Sequence, residues 1–143
     1  MLSKTFGYAI RGILYVALKN MEVKTVGIKE IAEALEVPQP FLGKIMQDLV
    51  RRDILSSVKG PNGGFYITEQ TLAIPVIKVV EAVDGLGTFQ KCVLGLHQCS
   101  GVQPCPLHAQ VKPYRDVLFQ SLSDQKIGDL KEELASGKVF VRT

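Results

Sequence analysis

All three cysteines and both histidines of this 143-residue chain lie in one stretch, CVLGLHQCSGVQPCPLH, which covers residues 92–108. Six residues separate the first two cysteines, five separate the second from the third, and two precede the second histidine. Thiolates are preferred ligands of iron–sulfur clusters and of zinc. The candidate metal ligands are therefore Cys92, Cys99, Cys105 and His108, which would fill the four protein-ligand positions of a 2Fe–2S cluster.

The same residues leave other chemistry open. A Cys3His zinc site uses identical ligands, although the close Cys-x2-Cys pairs typical of zinc fingers are absent. A thiol switch is a second alternative, with Cys92 or Cys99 forming a disulfide. His97 is a reserve ligand. A thiol-redox or cluster-carrier protein with no role on DNA is the alternative from another class, but no Cys-x-x-Cys motif, Ser-His-acid set or phosphate loop indicates an enzyme.

The composition is that of an ordinary globular protein, with 46% hydrophobic and 22% charged residues. An odd number of cysteines argues against a closed disulfide framework. No apolar run reaches the length of a membrane span, and no secretory signal is evident, so we expect a cytoplasmic protein with reduced thiols and no membrane partner. The net charge of +3 comes from residues 1–60, which hold nine Lys and Arg against six Asp and Glu. This excess is a weak indication of an anionic partner.

The elements that must position these residues begin with helices and a hairpin. Apolar residues at steps of three and four predict helices, and short β-type runs flank the turn GPNGG. The predicted helices span residues 3–20, 28–36 and 40–51, and the predicted strands span residues 54–59 and 65–68. Two short helices joined by a tight turn match a helix-turn-helix, and the hairpin after them is a wing. The fold class is therefore mainly α with a small β-wing, and residues 1–84 form a winged helix-turn-helix domain.

In such domains the second helix of the pair enters the major groove of double-stranded DNA, and the wing reaches the backbone. Glutamine can pair with adenine, lysine can donate to guanine or phosphate, and an aromatic ring can contact a thymine methyl. Uncovered amides of wing glycines would suit a close approach to DNA. The candidate DNA-binding residues are Gln39, Phe41, Lys44, Lys59, Asn62, Gly63 and Gly64.

The second half of the chain is organised around the cysteines. After a helix at residues 74–84, a cysteine-rich cluster-binding loop spans residues 85–105, and a dimerisation helix and C-terminal tail span residues 106–143. The helix over residues 106–124 would place Cys105 at its N-cap. Its apolar stripe needs a partner surface, and a two-fold homodimer would set two recognition helices about one DNA turn, ~34 Å, apart on a palindromic operator. The predicted dimer residues are Leu107, Val111, Tyr114, Leu118 and Leu122.

Three motifs carry a family resemblance. The run ILSSVKGPNGGFYI, the helix VVEAVDG and the three-cysteine loop resemble the Rrf family of bacterial winged-helix transcriptional regulators. The resemblance implies dimeric DNA binding, a C-terminal dimerisation helix and a cluster-binding loop. We further expect the cluster to set the promoter affinity. A cluster so close to the surface should be chemically labile, which suits a sensor of iron–sulfur status, oxidants or nitric oxide.

The resemblance also bears on the type of cluster. Family members similar to IscR bind a 2Fe–2S cluster through three cysteines and a histidine. Members similar to NsrR bind 4Fe–4S with an acidic ligand from the first helix. The corresponding stretch here, residues 6–9, contains no carboxylate, which favours 2Fe–2S over 4Fe–4S. The first cysteine gap is six residues where five is usual in the family. Such a cluster is labile, and air-handled protein can lack it.

Overall fold

The computed structural model describes residues 2–141, which form seven α-helices, a short 3-10 helix and one antiparallel pair of strands. The mainly helical fold with a small β-wing is confirmed. The elements in chain order are α1 (Lys4–Lys19), α2 (Ile28–Leu35), α3 (Gln39–Arg51), β1 (Ser56–Val58), β2 (Gly64–Tyr66), α4 (Glu69–Leu72), α5 (Val76–Val83), the 3-10 helix (Leu86–Phe89), α6 (His108–Asp124) and α7 (Ile127–Ala135).

The helix-turn-helix forms because its sequence supplies residues that begin and end each helix and apolar residues that pack in the core. The side chain of Ser3 caps α1 by accepting a hydrogen bond of 3.1 Å from the amide of Phe6. Helix α2 ends at Glu36, which adopts a left-handed backbone with φ of 54°. Proline at position 40 fits the first turn of α3, where its missing amide costs no hydrogen bond. The three predicted helices match these elements to within one residue at each end.

The main core lies where α1, α2, α3 and α5 meet. Apolar residues three and four positions apart give each helix one buried face, and these faces pack together. Residues of this core with no exposed surface include Ile13, Val16, Ile31, Leu42, Met46, Leu49 and Val79.

The wing is a short hairpin that a third segment extends. Strands β1 and β2 pair antiparallel with Ser57 opposite Phe65. Val26 joins through two backbone hydrogen bonds with Phe65, of 2.9 and 2.8 Å. The strands are shorter than predicted because Ile54 is buried in the main core and Thr68 already caps the next helix.

That next helix, α4, was not predicted, since its four residues are too few to give a periodic pattern. The predicted start of the long helix was also wrong. Pro106 and Leu107 form a turn in which the amide of His108 donates to the carbonyl of Cys105 over 3.0 Å. Consequently Cys105 does not cap α6, and His108 is the first helical residue.

The C-terminal segment packs back onto the N-terminal part. Ile127 has no exposed surface and belongs to the main core, and the amide of Val76 donates to the carbonyl of Gln125 over 2.8 Å. Leu118 and Leu122 of α6 pack against a second small core of Ile77, Val80 and Phe89. Residues 137–141 form no strand.

Membrane insertion through a helix has no support here, because none of the helices within residues 2–141 is both long enough and apolar enough to span a bilayer.

Candidate DNA-binding surface and cysteine site

Helix α3 presents a polar face opposite its buried one. Gln39 and Lys44 are exposed on it. Phe41 is 43% exposed, and its ring packs edge-on against the ring of Tyr8 at a centroid distance of 5.7 Å. The ring is therefore anchored to α1 on one side and open on the other, which leaves an apolar surface among the polar side chains.

The wing tip contains Lys59 and Asn62, whose side chains are exposed. It also contains two glycines that are only partly exposed. The amide of Gly63 donates to the carbonyl of Gly60 over 3.0 Å, so the expected uncovered amide at this position is wrong. A Cβ on Gly63 would lie 2.1 Å from the oxygen of Val58. Gly63 is therefore required by the fold of the turn itself.

A groove of about 490 Å³ runs between α3 and the wing. Lys29 at the start of α2 and Lys59 of the wing line it, together with Gln47 of α3. Neither Lys29 nor Gln47 is among the predicted DNA-binding residues. Their positions in the sequence, near the start of α2 and on the solvent face of α3, are the features that could have indicated them.

The four candidate ligands form two separate pairs. Cys99 Sγ is 3.2 Å from His108 Nδ1, and Cys105 is close enough to Cys92 to lower the pKa of its thiol. Cys92 is buried, whereas the other three are half-buried. All three cysteines are unpaired thiols.

The environment of Cys92 favours its thiolate. A hydrogen bond from the backbone amide of Leu94 lowers the pKa of the Cys92 thiol, and burial opposes this effect. A hydrogen bond with Cys105, the amide of Leu96 and the charge of Arg115 lower the pKa of Cys92 further. Because the thiolate is the form that binds metals, this loop is prepared to supply a ligand.

A buried arginine lies between the two pairs. Arg115 of α6 is only 5% exposed, and its guanidinium donates to the carbonyl of Lys91 and, over 3.1 Å, to Cys99 Sγ. Its Nε is a buried nitrogen with no hydrogen-bond partner among the described residues. Arg115 follows His108 by seven residues, which is about two helical turns, so both side chains lie on the same side of α6. This spacing is the feature of the sequence that could have indicated Arg115.

The four candidate ligands are of the chemical types that bind iron–sulfur clusters, although they form two separate pairs. Within residues 2–141, no three Cys, His, Asp or Glu side chains are close enough to hold one metal ion together. Sulfur and imidazole donors suit iron–sulfur clusters, and α1 contains no acidic residue that could add a carboxylate ligand. The loop that carries the cysteines is largely exposed. His97 is exposed on this loop and lines the same pocket as Cys99 and His108.

The apolar stripe of α6 divides into two parts. Leu118 and Leu122 pack against the chain's own second core. In contrast, Leu107 and Tyr114 are 41% and 77% exposed, and Val111 is half-buried. Val117, which the sequence analysis did not include, extends this exposed part with 65% of its surface accessible.

The family assignment rests on a match along most of the chain. A family model described as "Rrf2: Iron-dependent Transcriptional regulator" matches residues 2–133. The chain belongs to the Rrf2 family. The HTH-type transcriptional regulator IscR of Escherichia coli is 31% identical over 123 residues, which cover 86% of this chain and 75% of IscR. The resemblance found in the sequence is thereby confirmed.

Solved structures of similar proteins have the same fold as this Rrf2 protein. IscR of T. potens matches with a TM-score of 0.73 and 17% identity over 99% of this chain and 93% of that one. CymR, the global cysteine regulator of B. subtilis, matches with a TM-score of 0.72 and 17% identity over 92% of this chain and 96% of that one. The Rrf2 chain is a DNA-binding transcriptional regulator.

Proposed function

We propose that this Rrf2 regulator is a cytoplasmic homodimer whose affinity for a palindromic promoter operator is set by a 2Fe–2S cluster bound to Cys92, Cys99, Cys105 and His108. The observation that carries the proposal is the pairing of these four donors around the buried Arg115. The family's description as iron-dependent supports a role for iron.

The pairing favours a two-iron cluster over a single metal ion. Each iron of a 2Fe–2S cluster takes two protein ligands, and in some centres imidazole replaces thiolate. The chain offers two separate pairs, whereas a tetrahedral zinc site requires all four donors around one ion. When bound, the cluster would supply a redox-active and oxidant-sensitive centre. Its signal would be iron–sulfur status, an oxidant or nitric oxide.

The protein contacts that could carry this signal run along α6. His108 and Arg115 lie near the start of this helix, and its Leu118 and Leu122 pack against α5. Asp84, at the end of α5, accepts a hydrogen bond of 2.9 Å from the amide of Ser3 at the start of α1. A change in the contacts between the cysteine loop and α6 would therefore change the position of α5 and α1, and with them the DNA-binding helices.

The test of this function compares the two forms of the protein on one DNA. An operator is first selected from a random DNA pool, and its affinity is then measured by fluorescence anisotropy with cluster-loaded and metal-free protein. Allosteric coupling free energies are about 1–3 kcal/mol, so we expect affinities that differ by roughly 5- to 150-fold. Equal affinities would contradict regulation by the cluster.

The proposed docking assigns different tasks to two lysines. Lys44→Ala is expected to weaken operator binding and relax base preference by about 1–3 kcal/mol, since Lys44 lies on the solvent face of the recognition helix. Lys59→Ala should weaken binding to all sequences and reduce the salt dependence by about one unit of slope, because the wing approaches phosphate. Competition assays at several salt concentrations measure both effects. Lys78→Ala, an exposed lysine of α5, is the control. Wild-type binding by both lysine variants would refute this docking.

The exposed part of the α6 stripe is the proposed dimer interface. Tyr114→Glu should convert the dimer to a monomer, because it would bury a charge among Leu107, Val111 and Val117, with a cost of about 2 kcal/mol or more. Analytical ultracentrifugation measures the dissociation constant. Ala109→Glu places the same charge on the opposite side of α6 and should leave the dimer intact. A Tyr114→Glu variant that dimerises like wild type would exclude this interface.

One observation favours a second candidate, a thiol switch. The pKa of the Cys92 thiol is lowered, and Cys105 is one of the neighbouring groups that lower it, so Cys92 is suited to react with an oxidant. Of the two predicted switch cysteines, Cys92 and Cys99, this favours Cys92, with Cys105 as its disulfide partner. Regulation of operator binding that persists in metal-free protein and is lost in Cys105→Ser would identify this mechanism.

A further inference from the structure

A buried positive charge without a carboxylate partner sets Arg115 apart. Arg115 and Thr71 are the buried polar residues among those described, and Arg115 is 5% exposed. Moving a charge out of water is costly unless opposite charge or hydrogen bonds compensate it. A favourable interaction must therefore offset the free-energy cost of burying the guanidinium at this position.

The surroundings of Arg115 do not supply that compensation by themselves. None of the ion pairs found within residues 2–141 includes Arg115, and the neighbouring Asp116 pairs with Lys112. Lys91, Lys112 and Asp116 line the same pocket, and because Asp116 is paired with Lys112 it leaves the charge of Arg115 uncompensated. Of the five N–H donors of a guanidinium, one contacts the carbonyl of Lys91 and one contacts Cys99 Sγ, while Nε has no partner.

The thiols are the groups that can become negative here. Cys99 accepts a hydrogen bond from Arg115 directly, and Cys92 lines a pocket together with Arg115. Three deprotonated cysteines that bind a cluster would bring net negative charge to the site. A fixed guanidinium with unused donors is suited to such a group, because it can donate to several sulfur atoms at once.

We propose that Arg115 is a positioning residue of the cysteine site, which neutralises the charge of the cluster-bearing thiolates and donates hydrogen bonds to their sulfur atoms. This inference rests on the proposed iron–sulfur function and adds a residue outside the ligand set. Partners outside the ligand shell fix the orientation of ligands and tune the metal.

A consequence for redox chemistry follows from the sign of the charge. One-electron reduction of a cluster adds one negative charge to the site, so a buried cation stabilises the reduced form and raises the reduction potential. Removal of the cation should lower that potential. Arg115→Lys keeps the charge, so it separates this effect from a change in packing or solvent exposure, which also sets the potential.

The experiment compares Arg115→Gln, Arg115→Lys and Lys112→Gln with wild type after anaerobic cluster reconstitution. Lys112→Gln removes the same charge from an exposed neighbour that lines the same pocket. Each protein is titrated with dithionite in the presence of redox dyes, and iron release to a chelator is timed by visible absorption. We expect Arg115→Gln to show a lower potential and about 10- to 100-fold faster iron release. Arg115→Lys should keep a potential nearer to wild type, and Lys112→Gln should match wild type.

Hydrogen exchange of the metal-free protein provides a second test of the role of Arg115. Hydrogen exchange in residues 91–105 should accelerate in Arg115→Gln, because the carbonyl of Lys91 and the thiol of Cys99 lose their donor. Arg115 lies outside both buried apolar cores, so the variant should fold, and Arg115→Lys retains the charge as a milder change.

The outcomes separate this inference from the proposed function. A wild-type protein that binds a cluster, with an Arg115→Gln variant of unchanged potential and iron release, would overturn the role of Arg115 alone. Unchanged exchange in the loop would likewise contradict it. A wild-type protein that takes up no cluster would overturn the proposed function first, and this inference with it.

Discussion

Cys99→Ala is expected to abolish the visible absorption of anaerobically purified protein and to reduce its iron content to near zero. Cys99 contacts both His108 and Arg115, so it belongs to one donor pair and also links that pair to the buried cation. A 2Fe–2S cluster needs four protein ligands, and alanine offers no replacement donor. Absorption spectra with iron and sulfide analysis of the purified variant measure the effect.

The matched control is His97→Ala, which changes another side chain of the same loop. His97 is exposed, and the proposed ligand set does not use it. This variant should retain its iron and its colour. Cys99 lies outside both apolar cores but accepts a hydrogen bond from the buried Arg115, so metal-free Cys99→Ala should fold with a loss of stability of about 1–3 kcal/mol. A Cys99→Ala protein with full iron content would remove Cys99 from the ligand set.

Gly64→Ala is expected to disrupt the wing. Gly64 has a φ of +155°, and a Cβ there would lie 2.6 Å from the carbonyl oxygen of Val26. That contact is with backbone, so Val26 must separate from the hairpin and lose its two hydrogen bonds to Phe65. Backbone strain of this kind costs roughly 1–3 kcal/mol, and the lost pairing adds to it. Urea unfolding measures the loss of stability, and anisotropy measures the weaker DNA binding that follows from a displaced wing.

Gly60→Ala separates backbone strain from steric contact. Gly60 is in the same turn with a φ of +110°, but a Cβ there would meet no atom within 4 Å. Its replacement should therefore cost strain alone and destabilise the protein less than Gly64→Ala. Equal losses in the two variants would show that the approach of Val26 is not the reason for glycine at position 64.

The DNA-binding part was predictable from sequence because its signals are local. Apolar spacing in residues 28–36 and 40–51 and the turn GPNGG set the helices and the wing to within a few residues. The roles of the wing glycines were not predictable in the same way. Their contacts with Val58 and Val26 arise only once the hairpin is folded and joined by a distant segment.

The cysteine site was predictable in composition but not in geometry. The spacing identified four candidate ligands, yet it could not predict that they stand as two pairs. The division of the α6 stripe depends on the packing of Leu118 and Leu122 against α5, which helical periodicity does not reveal. Arg115 was missed because an arginine in a helix is ordinarily exposed, and its burial depends on the loop that covers it.

The most direct test of the central claim is strictly anaerobic purification, followed by visible absorption spectroscopy and by iron, acid-labile sulfide and zinc analysis. We predict a coloured protein with about two iron and two sulfide per chain, as the stoichiometry of a 2Fe–2S cluster requires. A colourless protein that contains zinc alone, even after anaerobic reconstitution with iron and sulfide, would contradict the proposal that this regulator senses its signal through an iron–sulfur cluster.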